Sequence, residues 1–284
     1  MKRFMVIFLM MIFTAAPLAA KDLTGTLQQI KETGKMRIGY RESEPPMSFA
    51  KDGKPAGYSI DICKCIVTEV KEKIGKDVSV EYVPVNSENR FQALEDNKID
   101  ILCGSTTKTL SRSELVDFTQ LTFVTGDSML TLRDAKVKDI ADFNGKKIGV
   151  VKDTTTEKAL QGMLKETLTD AKIVLFDSGK EGLEAVVNKK IDAFSADQVV
   201  LIGLIVTAPE PDMFSVVSNV FSFEPFALAL RRNDADFRLI ADRVISHLYR
   251  SGQILPIYDK WFGMLSDKRP LMFDALFQLN ATPE

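Results

Sequence analysis

GKMRIGY at 34–40 and NKIDILCGS at 97–105 have counterparts in GKKIGVV at 145–151 and KKIDAFSAD at 189–197. In both halves a basic, glycine-marked apolar run is followed by a second apolar run that opens on Lys-Ile-Asp. Short apolar runs bounded by polar residues read as buried strands. Their recurrence in the same order predicts one α/β unit built twice. Between the first two runs, Cys63, Ile66, Val67, Val70 and Ile74 fall at helical spacing and predict a helix over 59–73. Val78, Val80 and Tyr82 alternate as in a strand, and Asn86 is a candidate cap for a helix through Leu94. This βαβαβ series is the pattern of a doubly wound open sheet. Two such lobes enclose a cleft, and small ligands bind at domain interfaces and beyond the carboxyl ends of parallel strands.

The segments that follow the strands are polar in a way a core would not tolerate. CGSTTKTLSR at 103–112 runs from the strand end through a series of hydroxyls to Arg112. KDTTTEKAL at 152–160 places Thr154 and Glu157 at capping-box spacing, so a helix N-terminus opens there. Its free N–H groups and partial positive charge suit an anion.

The chain has 284 residues, long enough for two lobes with sizeable cores. A net charge of −2 gives no basic footprint for nucleic acid. The single histidine, His247, sits in an amphipathic run and reads as structural, which excludes most histidine-based catalysis. Cys63, Cys65 and Cys103 have no zinc spacing, so neither a metal nor a cofactor is expected. Cys63 and Cys65 point about 200° apart on one helix and do not bridge each other. Cys103 is left to pair with either one, or with neither.

Lys2 and Arg3, an apolar run over 4–13 and the small residues AAPLAA before Lys21 read as a secretory signal peptide cut near Ala20. Ten to twelve apolar residues fall short of the roughly 20 that a spanning helix needs. Its removal leaves 35 basic against 39 acidic residues, a mature charge of −4. A soluble, exported protein is expected.

The succession YRESEPPMSF, GYSIDI, NSENRFQAL, ILCGSTTKTLSR, VDFTQ, IGVVKDTTTE, IDAFSADQ and IYDKWFG resembles the periplasmic amino-acid-binding proteins of ABC importers, solute-binding protein family 3, and most closely their glutamate/aspartate-binding branch. The resemblance spans 27–263. It implies a type II periplasmic binding protein fold: two doubly wound α/β lobes, a two-stranded hinge and an interlobe ligand cleft. The expected division is lobe 1 over 21–128 and 222–263, lobe 2 over 129–221, and a tail over 264–284 packing on lobe 1 as an amphipathic helix. The implied function is capture of a free acidic amino acid by a periplasmic monomer that delivers it to an inner-membrane ABC permease.

The resemblance also implies a site. Arg112 falls at the clamp for the ligand α-carboxylate, whose two oxygens match the planar guanidinium fork. Ser105 and Thr107 surround the carboxylate and ammonium, Asp197 holds the ammonium, and Thr154 and Thr155 add donors from lobe 2. Arg41, Ser87 and Arg90 form the side-chain pocket, a second anion clamp that a neutral side chain would leave unpaired. On this count three arginines and one aspartate, net +2, meet a ligand of net −1, although Glu42 and Glu44 lie close enough in sequence to neutralise Arg41. The branch carries a histidine near FDSGKEG that this chain lacks, and Lys180 is the candidate replacement donor. Gln198 stands where an acid often follows Asp197. Two other classes are open at this point: a dehydratase of prephenate-like acids on the same fold, and a sensory module, against which no membrane segment follows Gly263.

Overall fold

A computed structural model describes residues 23–135, 137, 139–264 and 268–284. The expected signal segment, the cut expected near Ala20 and tail residues 265–267 lie outside the described residues.

In chain order, α1 (Gly25–Thr33) leads into β1 (Lys35–Tyr40), then a small ribbon of β2 (Ser43–Glu44), β3 (Ser48–Lys51) and β4 (Lys54–Ala56). α2 (Tyr58–Ile74), β5 (Ser79–Pro84), α3 (Arg90–Glu95), β6 (Ile101–Cys103), α4 (Leu110–Ser113) and β7 (Val116–Thr125) follow. The second unit contains β8 (Asp127–Leu132), β9 (Lys147–Val151), α5 (Thr155–Glu166), β10 (Lys172–Phe176), α6 (Gly179–Val187), β11 (Ala193–Asp197), α7 (Gln198–Thr207) and β12 (Phe214–Val216). The chain then returns through β13 (Glu224–Arg231) to α8 (Ala235–Ser251), α9 (Ile254–Phe262) and α10 (Leu271–Leu279).

Two five-stranded sheets result, in the orders β5-β1-β6-β13-β7 and β10-β9-β11-β8-β12. β1 is parallel to β5 and β6, and β9 is parallel to β10 and β11. The antiparallel members β7, β8, β12 and β13 are those that flank the passages between the sheets.

The repeated sequence is a repeated joint. β1 and β6 hold the second and third places in the first sheet, as β9 and β11 do in the second. The aspartate of each Lys-Ile-Asp run closes its lobe in the same way: Asp100 Oδ2 accepts the Arg37 N–H at 2.7 Å and Asp192 Oδ2 the Lys147 N–H at 2.8 Å. The glycine of each first strand makes room for the isoleucine of the second. A Cβ on Gly39 would stand 2.4 Å from Ile99 Cδ1, and one on Gly149 2.6 Å from Ile191 Cδ1.

α2 forms where its apolar spacing predicts, burying Ile62, Cys63, Ile66, Val67, Val70 and Ile74 and ending on Gly75 in the left-handed conformation. Cys63 is bridged to Cys103 at the end of β6 with Cα atoms 6.5 Å apart, which resolves the pairing left open by the sequence; Cys65 is a free, half-buried thiol. The helix expected from Asn86 begins later, at Arg90. Asn86 Oδ1 instead accepts the N–H groups of Glu88 and Asn89, so it caps the preceding turn.

The two passages between the sheets lie side by side. The first is Gly126 alone and the second runs over 217–223. A Cβ on Gly126 would stand 2.5 Å from the Ser222 carbonyl oxygen, so only glycine permits this approach. α10 packs against β7 and α8, and its C-cap Asn280 accepts the Leu121 N–H through Oδ1 at 3.2 Å. His247 is exposed on α8.

Candidate functional site

Four carboxyl strand ends converge between the lobes: β1 runs into Arg41, β6 into 104–107, β9 into 152–155, and β11 ends on Asp197. This is where an open α/β sheet exposes loop groups to a ligand.

Arg90 and Arg112 share the ring of Phe91, with guanidinium carbons 4.9 and 5.6 Å from its centroid. Arg90 is 3% exposed; its Nη2 donates to the Asp153 carbonyl of the opposite lobe at 3.3 Å, and its Nε has no partner. Burial, then the neighbouring charges of Arg41 and Arg112, push the Arg90 guanidinium well below its ordinary value. A guanidinium does not lose its proton in practice, so the cost takes the form of a demand for an anion. Burial depresses Arg112 likewise, while Glu224 and Asp197 act in the opposite direction. Arg112 Nη1 donates to the Thr107 carbonyl at 2.9 Å, and its backbone N–H to Thr109 Oγ1. Among the described residues no ion pair ties Arg112 to Glu114.

Asp197 ends β11, and its side chain makes no capping hydrogen bond to α7. Burial first, then the charges of Asp127, Glu224 and Glu44, push its carboxyl well above the usual range, with Arg112 opposing them. Ser87 Oγ, Arg90 Nε, Thr106 Oγ1 and Asp197 Oδ1 are buried side-chain atoms with no hydrogen-bond partner among the described residues. Three of these four residues were singled out from the sequence.

The remaining candidates are engaged. Thr107 Oγ1 donates to Glu224 Oε2 at 2.6 Å and Thr155 Oγ1 donates to the same oxygen at 2.9 Å, so one carboxylate ties a hydroxyl from each lobe. Thr154 spends its hydroxyl on capping α5, accepting the Glu157 N–H and donating to the Val151 carbonyl. Glu157 completes the cap from Asp153 N–H rather than from Thr154. Lys180 is not brought to the arginines: it is exposed and lines a separate, largely apolar groove with Ser43, Pro45 and Trp261.

The charge count made from the sequence is corrected by acids that the chain separates widely. Glu44 pairs with Arg41, Oε1 to Nη1 at 2.8 Å, and Glu44 Oε2 accepts the Ser105 hydroxyl at 2.6 Å. Asp127 accepts from Thr156 at 2.6 Å and from Ser222 at 2.8 Å, and shares a hydrogen bond with Glu224. Burial first and the Glu224 charge second push the Asp127 carboxyl up to about 7. Asp127 also stands directly opposite Asp197 in the β8–β11 register. Spacing carried no sign of Glu44, Asp127 or Glu224 as a group, since only the crossovers bring them together. Thr106 lies within CGSTTKTLSR and Phe91 within NSENRFQAL, where residue type alone does not distinguish them from their neighbours.

The lobes meet on both sides of the cluster. Lys152 Nζ lies 3.1 Å from Glu88 Oε2, and the Pro45 turn abuts α7, where a Cβ on Gly203 would stand 2.0 Å from the Pro45 carbonyl oxygen. Among the described residues no helix is long and apolar enough to cross a membrane.

The family model for bacterial extracellular solute-binding proteins, family 3, matches residues 36–264. The chain is 34% identical over 251 residues to the L-glutamate/L-aspartate-binding protein of Pseudomonas aeruginosa, covering 87% of this chain and 83% of that one. It is 32% identical over 246 residues to the glutamate/aspartate import solute-binding protein of Escherichia coli K12, covering 86% and 82%. Among solved structures, the ancestral amino acid-binding protein AncCDT-1, a precursor of cyclohexadienyl dehydratase, superposes with a TM-score of 0.73 at 29% identity, over 84% of this chain and all of that one. The cysteine-binding protein of Campylobacter jejuni gives 0.73 at 26% identity, over 84% and 93%. Two α/β lobes on a two-stranded hinge, with buried arginines and acids in the cleft between them, are thus the fold of a type II periplasmic binding protein, and the chain belongs to family 3 of the bacterial extracellular solute-binding proteins.

Proposed function

We propose that the protein captures one free amino acid with an acidic side chain, glutamate or aspartate, in the interlobe cleft and delivers it from the periplasm to an ABC permease. The observation that carries the reading is the set of buried, partnerless atoms Ser87 Oγ, Arg90 Nε, Thr106 Oγ1 and Asp197 Oδ1 around three guanidinium groups. An amino acid supplies what that set lacks: an α-carboxylate for Arg112 with Thr106 or Thr107, an ammonium for Asp197, and a side-chain acceptor for Arg90 and Ser87. The ligand's ammonium donates to Asp197, and its positive charge opposes the burial and neighbouring acids that push that carboxyl up. The names of the relatives from P. aeruginosa and E. coli support the acidic ligand and the importer. The protein is expected to act as a monomer, with Thr155 and the N-terminus of α5 reaching the ligand from lobe 2.

Calorimetric titration of the mature protein with each of the twenty amino acids tests this. Micromolar or tighter binding of glutamate or aspartate is expected. Failure to bind any amino acid, or a preference for cationic side chains, overturns the reading. Incubation with prephenate is expected to yield no aromatic product. Arg90→Ala is expected to weaken the acids by several kcal/mol and the amides less, since an amide loses a hydrogen bond from the guanidinium but no pairing of opposite full charges.

A further inference from the structure

The side-chain corner of the cleft holds its own anion. The Glu44 side chain is 14% exposed and that of Arg41 7%, and their 2.8 Å contact makes a largely desolvated pair of no net charge. The second Glu44 oxygen takes the Ser105 hydroxyl at 2.6 Å and lies 3.4 Å from the Ser105 backbone nitrogen. Glu44 is also one of the charges felt by Arg90, Arg112 and Asp197, so its field covers the whole cluster. Arg41 therefore reaches a ligand already neutralised. The groups left for the ligand's side chain are Arg90 and Ser87, each with a buried, partnerless atom.

A carboxylate and a carboxamide meet this corner differently. A carboxylate gains Arg90 and Ser87 but stands beside a like charge in a low-dielectric setting, where repulsion is stronger than in water. A carboxamide presents its oxygen to Arg90 and its N–H₂ to Glu44, so every polar atom finds a partner. We propose that Glu44 is a specificity-determining residue that relaxes the preference for acidic side chains and admits glutamine and asparagine as ligands of the same site. The inference rests on the amino-acid-binding reading above and adds which side chains the pocket accepts.

The test is titration of glutamate, aspartate, glutamine and asparagine into the full mature protein, Glu44→Gln and Glu44→Ala. Glu44→Gln keeps the size and an acceptor oxygen while deleting the charge; Glu44→Ala deletes both. The wild type is expected to bind an amide within about a hundredfold of the corresponding acid. Both substitutions are expected to raise the acid-to-amide affinity ratio at least tenfold, about 1.4 kcal/mol, with Glu44→Ala also weakening the amides in absolute terms. Thermal melts confirm that each variant is folded, and Glu44→Gln serves if Glu44→Ala is not. A wild type that binds neither acids nor amides overturns the amino-acid reading and this inference together. A wild type that binds acids, with a ratio unchanged within threefold in the folded variants, overturns this inference alone.

Discussion

Replacing Asp127 by asparagine should stabilise the protein at alkaline pH and do little at acid pH. The Asp127 carboxyl lies at the inner end of β8, holds hydrogen bonds from Thr156 and Ser222, and is pushed by burial and by Glu224 from 3.8 to about 7. An acid whose folded value lies above its unfolded value binds its proton more tightly in the native state. Its contribution is therefore most favourable below about pH 4, declines as pH rises through the window from about 4 to 7, and is lost above that. With about 1.36 kcal/mol for each tenfold change in proton affinity, the decline amounts to about 4 kcal/mol. Thr156 and Ser222 donate to different Asp127 oxygens, so asparagine keeps an acceptor for one of the two hydroxyls and offers Glu224 a permanent N–H donor; it reproduces the protonated acid's link to Glu224 at every pH at the cost of about one hydrogen bond. For a chain of this size 1 kcal/mol corresponds to roughly 2–4 °C. Melting followed by circular dichroism should show Asp127→Asn about 5 °C or more above wild type at pH 8 and within about 4 °C of it at pH 4. Equal increments at the two pH values, or a loss at both, would refute a buried carboxyl that shares its proton with Glu224.

Three further outcomes follow from the geometry. Arg112→Ala should reduce the affinity for every amino acid by about 2 to 5 kcal/mol in calorimetry, because it strips the α-carboxylate of its clamp and leaves Asp197 without its counter-charge; retention within threefold would contradict the role. Gly203→Ala should wedge the Pro45 turn away from α7, giving weaker ligand binding and a larger radius of gyration at saturation by solution scattering than wild type, while far-ultraviolet circular dichroism stays unchanged. Replacing both Cys63 and Cys103 by alanine opens a link across 40 residues and should cost about 4 kcal/mol in denaturant unfolding, and loss of the Cys65 thiol should cost under about 1 kcal/mol.

What the sequence disclosed was what local chemistry repeats. Glycine followed later by Ile-Asp is legible in both lobes because the joint it makes, an isoleucine over a bare Cα and an aspartate on the first strand's N–H, depends only on those residues. Arg90, Ser87 and Asp197 were legible because they sit at the ends of readable elements, and among the described residues each has a buried side-chain atom with no hydrogen-bond partner. Glu44 is legible only as a sequence neighbour able to neutralise Arg41, and the ion pair brings it into the cluster. Asp127 and Glu224 were invisible because they are 97 residues apart and meet only where the crossovers do. Lys180 failed as a replacement donor for a related reason: its place on the first turn of α6 turns it outward to the groove beside Trp261, and sequence adjacency to the lost histidine says nothing of that direction.

The order in which the chain visits its sheets bears on how it acquires its fold. The second sheet is drawn wholly from 127–216, whereas β13, at 224–231, fills the place between β6 and β7 in the first. A chain emerging from its N-terminus thus completes its middle portion first, while strands made much earlier wait with two unsatisfied edges for a partner more than a hundred residues downstream. Pairing over that separation is slow. The early half therefore stays open longest, and that delay exposes its unpaired strand edges to capture by chaperones or by other strands.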